Sequence, residues 1–138
     1  MSIQPKTFTL HPGYRGFLVG IVNSDFQQRA FIEVTRDSHS ILSATFHGQG
    51  PRVHMSNMFT NRKTLSFGPF NFPVTVHVTI SSHHGGGSWE ISKTVGPLAI
   101  EKRPQPDYPI ELLVATVISE ARQEASHDDC TITIFQYK

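Results

Sequence analysis

The stretch IELLVATVISEARQEASHDDC, residues 110–130, decides between two fold classes. Glu111, Leu112, Leu113, Ala115 and the run from Glu120 to Ala125 are good helix formers, and Pro109 suits the position before a first helical turn. Ile110, Val114, Thr116, Val117 and Ile118 are β-branched and stiff at χ1. Residues 112–118 are apolar on every face except at Thr116, as in a strand covered on both sides. Propensity alone leaves helix and strand open. The second half of the stretch packs Glu120, Glu124, Asp128 and Asp129 around His127.

Outside this stretch the strand signals dominate. The segment PVTVHVTISS sets Val74, Val76, Val78 and Ile80 on one face and Thr75, His77 and Thr79 on the other. KTFTLH and AFIEVTR alternate in the same way, and CTITIFQYK places Ile132 and Ile134 opposite Thr131, Thr133 and Phe135. RGFLVGIV, ILSATFH, RVHMSNMF, KTLSF and SWEISKTV read as further strands. Turn chemistry separates them at Pro12-Gly13, Asn23-Ser24-Asp25, Asp37-Ser38, Gly48-Gln49-Gly50-Pro51, Gly85-Gly86-Gly87 and Gly96-Pro97. EKRPQPDYP reads as a long loop. The chain is expected to be all-β: one domain over residues 1–138, an antiparallel β-sandwich of about nine strands.

Composition narrows the function classes. A chain of 138 residues can bury a core without staples, and its one cysteine, Cys130, makes no internal disulfide. A formal net charge of +1, with basic residues scattered, argues against a nucleic-acid partner held by bulk charge. No run approaches the roughly 18 apolar residues of a membrane span. The start MSIQPKTFTL lacks a basic-then-apolar leader, so the expected location is cytoplasmic, or outside the cell by release without a signal peptide.

Catalytic chemistry is thinly supplied, and no enzyme is expected. Asp128 and Asp129 would raise the thiol pKa of Cys130, which makes it a poor nucleophile. Neither a nucleophile elbow nor a phosphate-cradling glycine loop occurs. His83-His84 read as part of a solvated hairpin loop, and His39, His47 and His54 as isolated strand or turn residues. Aromatic side chains could stack on a sugar, though in a sandwich they more often fill the core. The acidic stretch is the sharpest feature. Calcium takes six to eight oxygen ligands, and Glu120, Glu124, Asp128 and Asp129 supply oxygens in one short segment. An acidic loop offset by Arg122 and His127 is the plainer alternative.

In order along the chain, these features resemble the bacterial calcium-mediated lectins that bind fucose and mannose through two adjacent calcium ions. TFTLHPGYRGFLVGIVNS is similar to their N-terminal part, and IEVTRDSHSILSATFHGQG to a strand pair ending in A-T-F-x-G-Q. Their defining loop reads S-E-D-G-x-D-N-D-Y-N-D before a terminal alternating strand. Ser119-Glu120 match its opening and Asp129 its close, with CTITIFQYK as the terminal strand. The resemblance implies a strand over 110–118 and a loop over 119–128. It also implies a homodimer that binds a fucose- or mannose-type glycan without catalysis, with calcium as cofactor. Asn23, Glu120, Glu124, Asp128 and Asp129 are then its calcium ligands and sugar contacts. The sequence departs from the pattern at Ala121 and Ser126, where the family carries aspartates, and it ends at Lys138 rather than a terminal glycine. A metal-free interaction module that has lost calcium-dependent sugar binding is the alternative.

Overall fold

The computed structural model describes residues 6–83, 89–102, 112–120 and 130–138. Among them are ten strands and no helix: β1 (Lys6–Leu10), β2 (Arg15–Arg36), β3 (His39–His54), β4 (Ser56–Asn57), β5 (Thr64–Phe67), β6 (Val74–His83), β7 (Glu90–Ile91), β8 (Lys93–Lys102), β9 (Leu112–Glu120) and β10 (Cys130–Tyr137). Residues 112–120 are thus strand, as the β-branched content favours, and the helical reading of this part fails. β9 extends beyond the expected strand end, because Ser119 pairs with Cys130 and Thr94, and Glu120 with Lys93.

β2 organises everything. Its first half pairs with β5 on one side and with β10 on the other, and β9 and β8 follow β10. Its second half pairs with β3 and β6, and β1 lies on the far edge of β6. One 22-residue strand therefore belongs to both layers. Every pairing among these strands is antiparallel.

The core lies where the two layers face each other. Leu18, Val22, Val117, Ile132 and Ile134 come from one layer; Ile32, Val34, Phe46, Val76, Val78 and Ile80 come from the other, all in one buried cluster. Burying each of these side chains stabilises the fold by roughly 1.5–3 kcal/mol before conformational entropy is set against it. Cys130 is part of this core, its Sγ 3.5 Å from Met55 Sδ. Gln136 joins the layers from inside: its Nε2 donates to the Thr9 carbonyl at 2.8 Å and its Oε1 accepts from the His11 amide at 3.3 Å.

Two expected turns have the geometry their residues demand. Asp37 and Ser38 both take positive φ, 49° and 68°, between the paired Arg36 and His39. That two-residue, left-handed loop matches the right-handed twist of β2 and β3. In His11-Pro12-Gly13-Tyr14 the Tyr14 amide donates to the His11 carbonyl at 3.1 Å, and Gly13 takes a φ of 81° that other residues reach only with strain. Three expected turns are not turns. Asn23-Ser24-Asp25 lies inside β2, Gly48-Gln49-Gly50-Pro51 inside β3, and Gly96-Pro97 inside β8. All three coincide with breaks in register, so the turn-forming residues mark irregular pairing within long strands.

The narrowest point is Gly16, directly opposite Phe67. A Cβ there would overlap the buried Phe67 ring. Gly16→Ala is expected to destabilise the protein by about 1–3 kcal/mol through overpacking, more than the entropy gained by removing a glycine. Urea denaturation checks this; an unchanged midpoint would show that Phe67 moves aside freely.

Candidate functional site

The backbone register gathers part of the expected site. Val22 of β2, Cys130 of β10 and Ser119 of β9 lie side by side across three strands. Asn23 and Glu120 each stand one residue beyond this row, at the same end of the layer. Asn23 is exposed. β9 stops and β10 starts at that end. Glu124, Asp128 and Asp129 lie outside the described residues. Among the described residues, no three His, Cys, Asp or Glu side chains are grouped as a metal site would need.

Next to Asn23, β2 bends between layers, and side chains replace the interrupted ladder. Ser24 pairs with Gly50 and Gln28 with Gly48, so four steps along β2 face two along β3. Ser24 Oγ accepts from the Phe26 amide at 3.1 Å and from Gln28 Nε2 at 3.4 Å. Gln49 Nε2 donates to the Asp25 carbonyl at 2.6 Å. Gly50, at a φ of 116°, carries the matching distortion in β3. Buried backbone groups must find partners, and here short polar side chains supply them.

The same irregularity opens a cleft of about 350 Å³ on the β3 side of β2. Arg29, Gln49, His47, His54, Ser56 and Trp89 are among its walls. Arg29 and His47 are direct cross-strand partners, which puts both side chains on one face. The Arg29 guanidinium lies 4.0 Å above the centre of the Trp89 ring, and the half-buried His83 tilts against Trp89 at 5.3 Å. The sequence suggests that His47 and His54 are isolated and that His83 is solvated. They converge because β3 doubles back through Met55 into β4, and because the β6–β7 pairing returns Trp89 towards β2. The bunched glycines at 48 and 50 were the available signal, and it was read as a turn.

A second groove, about 460 Å³, lies near the β2–β3 turn and is lined by Glu33, Thr35, Asp37 and His77. Thr35 Oγ1 and His77 Nε2 are 2.9 Å apart in it. Nucleophilic catalysis gains nothing from Cys130, whose side chain is fully buried in the core.

No protein-family model matches the sequence, and no curated protein matches it significantly. Solved structures do resemble it in fold. The Chromobacterium violaceum lectin CV2L, in complex with alpha-methyl-fucoside, superposes with a TM-score of 0.61 at 19% identity, over 96% of each chain. The Ralstonia solanacearum high-affinity mannose-binding lectin gives 0.61 at 17% identity, again over 96% of each. The C-terminal domain of the BC2L-C lectin from Burkholderia cenocepacia gives 0.59 at 16% identity, over 98% of this chain and 97% of that one. At such identities the likeness establishes the fold.

The bend itself can be tested. Ser24→Ala removes the acceptor for the Phe26 amide and one acceptor for Gln28. The expected loss is about 1 kcal/mol, the usual worth of such a hydrogen bond, or a Tm lower by roughly 3–5 °C for a domain of this size. A Tm equal to that of the parent would mean that the bend is held by β-pairing alone.

Proposed function

We propose that this chain is a non-catalytic carbohydrate-binding protein, a lectin, acting on fucose- or mannose-type glycans with help from calcium. The observation that carries this reading is the match of fold over nearly all of three sugar-binding lectins. It is supported by the register that sets Asn23 and Glu120 at the end of the sheet where segment 121–129 begins and ends. In this reading Asn23, Glu120, Glu124, Asp128 and Asp129 provide the oxygens. Carboxylates and an amide are the donor types a hard cation takes, so the set fits calcium in kind. Calcium would hold the acidic side chains together and offer its remaining coordination positions to sugar hydroxyls. The protein would act as a homodimer.

Ala121 and Ser126 favour a second reading, a metal-free interaction module on the same sandwich, because neither brings a carboxylate to the segment. A glycan array, run with and without chelator, separates the two. Binding to fucose- or mannose-terminated glycans that falls on chelation is expected; an array blank in both conditions would favour the module.

The missing acids also set the strength of calcium binding. Without a carboxylate at Ser126, the affinity should be on the order of millimolar, as in weak extracellular sites. Ala121→Asp with Ser126→Asp should lower the Tm in chelator, where added like charges repel, and raise it in calcium, which stabilises the folded state that binds it. Melting curves of parent and double variant with calcium and with chelator measure both effects. A variant whose Tm ignores calcium would show that these side chains do not converge on an ion.

A further inference from the structure

The cleft between β2 and β3 is built from other residues than the proposed glycan site. At the row of Val22, β3 lies on one side of β2 through Val53, and β10 on the other through Cys130. The cleft is on the β3 side, and its wall includes Val53. Among the described residues its lining holds a fixed cation, Arg29, and two imidazoles, His47 and His54, and no carboxylate. Arg29 has no ion-pair partner among the described residues, and its buried Nε makes no hydrogen bond there. Gln28, fully buried in the same wall, has an unpartnered acceptor, Oε1, which calls for a donor such as a hydroxyl and not for an anion. A buried, unmatched guanidinium N–H is costly unless a ligand or water meets it, and guanidinium forks match planar oxyanions.

We propose that this cleft is a second binding site, one that takes the carboxylate or sulfate of an acidic sugar. Arg29, placed over the Trp89 ring, offers its remaining N–H groups to the anion with little further loss of rotamer freedom. His47, its cross-strand neighbour, and His54 add donors from the opposite wall. Ser56 and the exposed Gln27 and Gln49 provide neutral partners for ring hydroxyls. The volume of about 350 Å³ is at the small end for ligand pockets and suits one sugar ring. The sugar part of this assignment rests on the lectin reading; the anion part rests on the cleft alone.

Trp89 is the only tryptophan in the sequence, so its fluorescence reports this cleft directly. The full-length protein is titrated with glucuronate, glucose 6-sulfate, glucose and inorganic sulfate, each with and without chelator. Saturable change with one or both acidic sugars, unaffected by chelator and absent with glucose, is the expected result. Arg29→Gln should weaken it about tenfold or more, as the loss of a charge-assisted hydrogen bond does. His47→Glu, which replaces a donor with a carboxylate directly across from Arg29, should weaken it as well. The two acidic sugars also identify which oxyanion the site prefers. No response to either acidic sugar, an equal response to glucose, or a response abolished by chelator would overturn the proposal. A response to sulfate alone as strong as to the acidic sugars would overturn its sugar part. Chelator-sensitive glycan binding that survives in Arg29→Gln would leave the lectin reading standing whatever the cleft does.

Discussion

The architecture depends on one constraint: β2 must run through both layers of the sandwich without leaving its buried backbone groups unpaired. A strand that passes from one layer to the other has to break register somewhere. Here the break falls between Val22 and Gln28, and it is made tolerable by the hydrogen bond that Ser24 Oγ accepts from the Phe26 amide, the one that Gln49 Nε2 donates to the Asp25 carbonyl, and the positive φ of Gly50. Both candidate sites sit beside that break. On one side, Asn23 projects at the end where β9 and β10 are joined. On the other, the mismatch of β2 against β3 leaves room for the Arg29–Trp89 cleft.

The fold was largely legible in the sequence because alternation is a robust signal. Val74, Val76, Val78 and Ile80 are all buried as their period of two requires, and Ile132 and Ile134 likewise. The strand character of residues 112–118 could be read from their β-branched side chains, although their neighbours in sequence are good helix formers. What misled was turn chemistry. Asn, Ser, Asp and Gly are favoured in turns because they tolerate unusual φ and bond their own backbone, and a bulge inside a strand asks for the same properties. Sequence therefore located the irregularities at 23–25, 48–51 and 96–97 and misjudged their kind, which divided long strands into short ones.

The candidate site was legible in a different degree. The acidic residues of 119–130 were visible as a cluster in sequence, and three of them lie outside the described residues. The register places Asn23 at the same sheet end as Glu120, a link across 97 positions that composition could not provide and that came from the family resemblance. The cleft was not legible. Arg29, His47, His54 and Trp89 come from strands whose pairing and doubling back were unknown, and each residue alone is ordinary.

The two candidate sites differ in what holds them together, and this sets how each should behave. In the proposed calcium site the like-charged groups need the ion itself to bring them together, so binding and local order are linked. The cleft needs no such help. Arg29 is already stacked on Trp89, and its neighbours stand on paired strands whose geometry the sandwich core fixes. Preorganised donors lose little freedom on binding, so a small anion can be held by few contacts there. The bend in β2 thus has the Arg29 cleft on its β3 side and, on its β10 side, the end of the sheet where β9 stops and β10 starts. On the two proposals together, a glycan bearing both neutral and acidic residues would engage both sides of the bend.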